Sequence, residues 1–195
     1  YQVTLEDGQQ YVIRIPGEGT EEMIVRSDEM VSTKLACDLG IDAELLYFDK
    51  SGAKVTKYIP NAVTMCANAL HETERIKKVA NIFKQLHSCG MDTKVPFEVF
   101  DMAASYEKII DDKQVSMFAD YDVIKAEVMR IKAEIDAAFE IKKVPCHNDP
   151  LCENWVEGDG RMYLIDWEYA GMNDGMWDVA DVSIEAGYDE ACDRM

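Results

Sequence analysis

The stretches CHNDPLCENW, residues 146–155, and YLIDWEYAG, residues 163–171, show the most informative order of residue types in the chain. The first places His147, Asp149 and Asn154 in one short loop, and the second places Asp166 directly after the apolar residues MYLI. An acidic composition alone is typical of many solvated loops. The order and spacing of these side chains therefore carry more information than their number.

This order matches the needs of phosphoryl transfer, which requires a carboxylate near the attacking hydroxyl, oxygen ligands for Mg²⁺ and a cation near the donor phosphates. Asp149 would accept or orient the hydroxyl proton, and Asn154 would offer a neutral amide oxygen to Mg²⁺, a cation that prefers oxygen ligands. Asp166 at its strand end would face the same cleft. His147 is predicted to brace the loop through hydrogen bonds. Any one of these residues alone would fit an acidic surface loop better than a catalytic site, and it is their combination in this order that favours catalysis.

The composition restricts the class of protein. The 195 residues are 48% hydrophobic, so the chain can bury a core, and the net charge is −18. That charge argues against binding a nucleic-acid backbone or an anionic membrane, because both need clustered Lys and Arg. It favours a cationic ligand, or an anionic ligand carried with Mg²⁺, although solubility alone would also account for it.

The cysteines and the apolar runs indicate a cytoplasmic protein. The six cysteines are scattered without a CxxC pair, which argues against a structural zinc site and favours reduced thiols. No apolar run reaches the roughly 18 residues of a membrane-spanning helix, and no signal peptide opens the chain. The chain begins inside a strand-like pattern and stops inside a helical one, so we expect it to be part of a longer protein.

The periodicity predicts an α+β fold with two lobes. Residues 1–59 show alternating strands around Asp7-Gly8 and Ser51-Gly52, with one helix over 27–40 that starts near Ser27 or Asp28. Residues 60–67 are predicted to be a hinge. Residues 68–195 are predicted to form a mainly helical lobe that carries the catalytic β-loop and a hairpin at 158–160. Its helical patterns cover 69–90, 104–113, 121–140 and 176–187.

The pattern HxDxxxxN, followed by an apolar strand and Asp, resembles the small-molecule phosphotransferases with a protein-kinase-like fold, which include aminoglycoside phosphotransferases and choline/ethanolamine kinases. The stretches IDWEYA (165–170), WDVAD (177–181) and YVIRIPGEGTEEMIVRSDE (11–29) look most like bacterial-type choline kinases. The resemblance covers nearly the whole chain. It implies a two-lobed protein-kinase-like fold with a small antiparallel β lobe and a helical lobe.

The resemblance also implies roles for residues of the donor site. Arg14, at the end of the strand YVIRI, would contact the donor phosphates, with Glu29 as its ion-pair partner. Tyr58 and Ile59 would form the hinge against which adenine lies. Asp178 would order the catalytic loop.

For the acceptor, the resemblance implies aromatic faces and carboxylates around an ammonium group, which cation–π attraction explains. Glu185, Tyr188, Trp167 and Tyr169 are the candidates, with Trp177 nearby in sequence. The Gly-rich turn that covers the phosphates in this family would precede residue 1, and further pocket aromatics would follow residue 195. The stretch PGEGT (16–20) follows the Arg14 strand and does not match that turn.

The resulting hypothesis is an ATP-dependent, Mg²⁺-requiring kinase that phosphorylates choline to phosphocholine. Its partner would be a small molecule, choline or a related amino alcohol, with no nucleic acid and no membrane, and its oligomeric state is left open. Ethanolamine, an aminoglycoside or another small alcohol could replace choline as the acceptor. Outside the enzymes, the same residues would suit a non-catalytic kinase-like binding module, or an acidic interaction protein with a coincidental motif.

Overall fold

A computed structural model describes residues 1–20 and 23–195, so Glu21 and Glu22 of the stretch YVIRIPGEGTEEMIVRSDE lie outside the described residues. The chain divides into two compact units. One comprises Tyr1–Pro96 with Lys143–Met195, and the other comprises Phe97–Lys142. All the predicted site residues belong to the first unit. The predicted lobe boundaries at residues 59 and 67 stay a prediction.

A four-stranded antiparallel sheet begins the first unit. Its strands are β1 (Gln2–Thr4), β2 (Gln10–Arg14), β3 (Leu45–Phe48) and β4 (Lys54–Lys57), in the order β1-β2-β4-β3. The pairing of β2 with β4 sets Arg14 directly opposite Lys54. Side chains of directly paired residues lie on the same face of a sheet, so these two cations are neighbours.

Helix α1 (Arg26–Asp38) lies between β2 and β3 in the chain, as predicted. Its buried residues Glu29, Ser32, Thr33 and Ala36 repeat at helical spacing and form one inward face. The helix begins at Arg26, close to the predicted start near Ser27 or Asp28, and its N-cap Val25 makes no side-chain hydrogen bond. Arg26 pairs with Glu29 one turn later, at 2.6 Å.

Two smaller sheets and four helices complete the first unit. The sheets pair β5 (Val63–Thr64), β7 (Trp155–Gly158) and β8 (Arg161–Leu164) in the order β5-β7-β8, and β6 (Val144–Cys146) with β9 (Gly171–Asn173). The helices are α2 (Ala67–Leu70), α3 (Thr73–His87), α6 (Gly175–Ala186) and α7 (Glu190–Asp193). The single helix predicted over 69–90 is therefore interrupted between α2 and α3.

The hydrophobic core lies beneath the β7–β8 hairpin. Trp155 and Leu164 are completely buried there, and the core also includes Val79 and Leu86 of α3. These α3 residues are seven apart, the separation of two helical turns, so they share one face. The β7–β8 hairpin, which precedes Asp166, is therefore packed against the hydrophobic core.

The second unit consists of α4 (Val99–Asp112) and α5 (Tyr121–Ala138). Glu107 of α4 accepts hydrogen bonds from the Tyr121 hydroxyl and the Lys125 ammonium of α5, each at 2.7 Å. Neither helix contains a buried residue. Within the described residues, none of the helices has the length and apolar character that crossing a bilayer requires.

Candidate active site

The loop after β6 is held by the buried carboxylate of Asp178, near the start of α6. Oδ2 of Asp178 accepts from the backbone N–H of His147 at 3.0 Å, and Oδ1 accepts from that of Asn148 at 2.7 Å. His87 at the end of α3 contacts Oδ2 at 2.8 Å. Since Asp178 is 0% exposed, these contacts satisfy a carboxylate that would otherwise be costly to bury. Asp178 thus fixes the loop backbone just before Asp149.

Asn148 has a left-handed backbone with φ +67°. Asn adopts this region more readily than most residues, and its side chain is well anchored here. Its Nδ2 donates to the carbonyl of Tyr169 at 3.0 Å, and its Oδ1 accepts from Nδ2 of Asn173 at 2.9 Å. The sharp turn immediately before Asp149 is therefore set by hydrogen bonds to two other segments.

His147 links the two acidic positions of the motif. The ring is buried, its Nε2 lies 2.9 Å from the carbonyl oxygen of Ile165, and the backbone N–H of Asp149 donates to its Nδ1 at 3.3 Å. A neutral imidazole with its hydrogen on Nε2 satisfies both contacts. Burial lowers the pKa of His147, which favours this neutral form. The His147 ring therefore connects the Asp149 loop to Ile165, the residue before Asp166.

Asp149 is half-buried among other carboxylates. Burial raises its pKa to about 6, and the negative charges of Asp181, Asp166, Glu168 and Glu185 add to that rise. A carboxylate with this pKa is still mostly ionised at neutral pH, and it is a better proton acceptor than an ordinary Asp.

Asp181 was not among the predicted residues. Burial, followed by the charges of Glu185 and Asp178, raises its pKa to about 6 as well. The sequence contains a usable signal for it, because Asp178, Asp181 and Glu185 are spaced by three and four and so share a face of a helix. Asp181 and Glu185 on this face are among the carboxylates whose charge raises the pKa of Asp149.

Asn154 and Asp166 present oxygen atoms suited to a hard cation. Nδ2 of Asn154 donates to the backbone carbonyl of Asp149 at 2.9 Å, which orients the amide and leaves Oδ1 as a ligand atom. The backbone of Asp166 is left-handed, with φ +70°. Its Oδ1 is buried and accepts no hydrogen bond from the residues that the structure describes. A carboxylate oxygen that accepts no hydrogen bond, with only the ion pair to Arg14 beside it, and an oriented amide fit Mg²⁺.

The buried carboxylate of Glu29 organises the cations of the site. Its Oε1 lies 2.5 Å from Nη1 of Arg14 and 3.2 Å from Nζ of Lys54, and its Oε2 lies 2.6 Å from Nη1 of Arg26. The other terminal nitrogen of Arg14, Nη2, is 3.1 Å from Oδ1 of Asp166 and also hydrogen-bonds Glu168. Arg14 therefore bridges α1 and the Asp166 segment.

A cavity of about 250 Å³ adjoins these cations, and its lining is mostly apolar. Tyr58 and Ile59 line this cavity, and their contact with adenine stays a prediction. Ligand pockets typically combine such apolar walls with a few charged groups. Its lining comprises Val12, Arg14, Asp42, Ala43, Lys54, Thr56, Lys57, Tyr58, Ile59, Ala62, Thr64, Val156, Ile165 and Asp166. A larger cavity of about 540 Å³ shares Tyr58 and Ile59 but is not lined by Arg14 or Asp166.

One of the predicted acceptor residues, Trp167, lies in the core, which corrects that prediction. Trp167 is 1% exposed, and its Nε1 donates to the carbonyl of Leu164 at 3.1 Å, so its ring has no face open to a ligand. Tyr188 is partly buried against the core, its hydroxyl donates to the carbonyl of Leu70 at 3.1 Å, and its ring packs edge-on against His71. The role of Tyr188 at the acceptor site stays a prediction. Aromatic rings are more often needed for packing than for recognition, and sequence cannot separate the two.

The other predicted acceptor residues are placed differently. Glu185 is exposed on α6, and its charge raises the pKa values of Asp149 and Asp181. Tyr169 is half-buried, and its backbone carbonyl holds Asn148. Both therefore remain next to the Asp149 loop.

Sequence reasoning missed Lys54, Arg26, Glu168 and His87. Glu168 follows Asp166 by two positions in DWE, a proximity that could have identified it. Lys54 and His87 carry no comparable signal, because each meets its partner only across the tertiary fold.

Comparison with known proteins identifies the family to which this geometry belongs. The family model described as choline/ethanolamine kinase matches residues 1–194. The chain belongs to this family. It is 32% identical to protein LicA of Haemophilus influenzae over 180 residues, which cover 92% of this chain and 67% of that protein.

Solved structures agree with this membership. The choline kinase LicA from Streptococcus pneumoniae superposes with a TM-score of 0.87 at 30% identity, covering 100% of this chain and 68% of that one. A structure of LicA in complex with AMP superposes with a TM-score of 0.84 at 31% identity, covering 95% and 64%. The predicted fold class is confirmed. The chain spans about two thirds of the length of these relatives.

Proposed function

We propose that this chain carries the donor site and the catalytic loop of an ATP-dependent, Mg²⁺-dependent kinase that phosphorylates choline. The observation that carries the proposal is the meeting of Arg14 and Asp166 at one cavity, beside the loop of Asp149 and Asn154. Membership of the choline/ethanolamine kinase family supports it, as does similarity to a LicA that is a choline kinase. A LicA complex with AMP supports an adenine nucleotide as donor.

In the proposed reaction the hydroxyl oxygen of choline attacks the γ-phosphorus of ATP. A new oxygen–phosphorus bond forms, and the bond from the γ-phosphorus to the bridging oxygen breaks, which yields phosphocholine and ADP. The hydroxyl proton passes to the Asp149 carboxylate. The raised pKa of Asp149, about 6, suits this role because the group is ionised at neutral pH and still basic.

The remaining residues would position the reactants. Arg14 would hold the donor phosphates, with Glu29 fixing its guanidinium, and Tyr58 and Ile59 would flank the base. Asn154 and Asp166 would hold Mg²⁺, which supplies charge neutralisation at the phosphates when it is bound. Catalysis would then rest mainly on positioning and electrostatics. His147 and Asp178 would keep the loop in place.

The charges around Asp149 favour a cationic acceptor. The charges of Asp181 and Glu185 raise the pKa of Asp149, as crowded carboxylates do, and an ammonium group placed among them would relieve this repulsion. Tyr169 would add an aromatic ring. Ethanolamine is the second candidate, because the matching family model covers both choline and ethanolamine kinases. A cytoplasmic location, which agrees with six free cysteines, completes the proposal.

The test is coupled ADP release with Mg-ATP and choline, ethanolamine or a kanamycin-like acceptor, or with no acceptor. We expect choline-dependent release that falls by orders of magnitude in Asp149→Asn and stays unchanged in Asp92→Asn, an exposed carboxylate paired with Lys94. If only ethanolamine or only the kanamycin-like acceptor supports ADP release, that compound replaces choline as the proposed acceptor. Nucleotide binding without release for any acceptor would indicate a non-catalytic module instead.

A further inference from the structure

Lys54 is a buried lysine for which the proposed chemistry has so far no use. Its side chain is 8% exposed, it lies on β4 directly opposite Arg14, and it lines the same cavity. Its Nζ contacts Oε1 of Glu29 at 3.2 Å and lies 5.9 Å from the centre of the Phe48 ring. Burying an ammonium group is costly, so a lysine at this depth needs a compensating partner or a function.

Glu29, the partner of Lys54, already contacts two other cations. Glu29 is 0% exposed and also contacts Arg14 and Arg26, so among the described residues three positive groups share one carboxylate. Lys54 and Arg14 contact the same oxygen, Oε1. Glu29 is therefore not neutralised by Arg14 alone, and its charge is spread over these cations. Arg14 keeps its second terminal nitrogen and much of its positive charge for other anions.

The balance of charges at Arg14 shows why this sharing matters. Nη2 of Arg14 faces Asp166 and Glu168, carboxylates that already compete with any incoming phosphate. Within residues 1–20 and 23–195, the ion pairs of this group join three cations (Arg14, Arg26 and Lys54) to three carboxylates (Glu29, Asp166 and Glu168), and Asp42 lines the same cavity as Lys54. Loss of the Lys54 charge would leave an excess of negative charge next to the position that donor phosphates must occupy, and like charge weakens such binding.

We propose that Lys54 is a positioning residue of the donor site, which shares Glu29 with Arg14 so that Arg14 remains available to the donor phosphates. This inference rests on the proposed function, because it presumes that the cavity binds a nucleotide. A positioning role for Lys54 predicts a result that a purely structural ion pair does not predict. Lys54 should affect the binding of phosphate groups and leave the binding of the nucleoside unchanged.

The experiment is calorimetric titration of the protein with adenosine and with Mg-ADP. Lys54→Met and Lys54→Gln remove the charge, and Lys94→Met is the control, because Lys94 is an exposed lysine that pairs with Asp92 and does not line this cavity. We expect both Lys54 variants to bind Mg-ADP about tenfold more weakly, the scale of one charged hydrogen bond. Adenosine affinity should stay within about twofold of wild type in all variants, and Lys94→Met should match wild type throughout.

Equal loss of adenosine and Mg-ADP affinity would overturn the inference, because it would show a general disturbance of the cavity. Unchanged Mg-ADP affinity in both Lys54 variants would also overturn it. Circular dichroism melting identifies a variant that does not fold, and Lys54→Gln, which retains hydrogen-bonding capacity, then decides alone. If wild type binds neither ligand, the proposed function fails. If wild type binds both and the Lys54 variants match it, only the role of Lys54 fails.

Discussion

The substitution Asp149→Asn should abolish turnover and, above pH 6, stabilise the protein. In the folded chain burial and neighbouring carboxylates raise the pKa of Asp149 from 3.8 to about 6. That rise is equivalent to about 3 kcal/mol of destabilisation of the ionised form. Because the side chain is half-buried and partly screened by solvent, we reduce the expected effect to about 1–1.5 kcal/mol.

The sign follows from the direction of the pKa change. Since the pKa of Asp149 is higher in the folded state, its favourable contribution is fully present below pH about 4 and is lost as pH rises through about 6. Asn carries no charge at any pH. The difference in unfolding free energy between Asp149→Asn and wild type should therefore increase between pH 4.5 and 7.5, and then stay constant.

Urea unfolding at pH 4.5, 5.5, 6.5 and 7.5 measures this difference, with coupled ADP release as the parallel assay. Asp92→Asn is the matched control, because hydrogen bonds from Lys94 lower the pKa of Asp92, so its contribution to stability is lost only as pH falls below about 4 and the difference should stay constant from pH 4.5 to 7.5. A stability difference for Asp149→Asn that does not grow with pH would refute the assignment of a raised pKa. Unchanged turnover would refute the role of Asp149 as proton acceptor.

Four further outcomes follow from the structure. Wild-type kcat/KM for choline should rise with pH to a plateau above about 6, as Asp149 ionises, and a flat profile from pH 5 to 8 would contradict this. In Asp178→Asn the side chain cannot accept from both loop N–H groups, so urea unfolding should show a free energy of unfolding lower by about 1–3 kcal/mol, and kcat should fall. Unchanged stability would argue against these hydrogen bonds. Gly158→Ala would place a Cβ 2.5 Å from Cγ2 of Ile59, so adenosine affinity should fall several-fold by calorimetry, and unchanged affinity would show that the hinge adapts. Trp167→Leu should cost about 3 kcal/mol of stability in urea and leave KM for choline unchanged, whereas a raised KM would return Trp167 to the acceptor site.

Local elements could be read from the sequence with good accuracy. The hairpins, α1 and the interval between Asp149 and Asn154 depend on neighbours in the chain, and alternation or helical spacing reports them directly. Errors arose where a distant contact decided the outcome. The break between α2 and α3 in the predicted helix over 69–90 is such a place, because the carbonyl of Leu70 at the end of α2 accepts a hydrogen bond from the distant Tyr188 hydroxyl.

The aromatic residues show the same limit at the site. Trp167 and Tyr169 are two positions apart, yet one is completely packed and the other is half-buried. Residue type describes what a ring can do, namely pack, stack or attract a cation. Which of these it does depends on the segment that covers it, and that segment is distant in the chain.

By itself the sequence determined which chemical groups the loop of Asp149 contains, because its acid, its amide and its histidine lie in one short segment. Only the tertiary structure decided which charges meet at that loop. Asp178 reaches His147 and Asn148 from about thirty positions away, and Lys54 reaches Glu29 through the register of β2 and β4. Alternation in a strand shows which side chains share a face. It does not show which face is buried or what lies opposite, because those depend on packing between segments that are far apart in the chain.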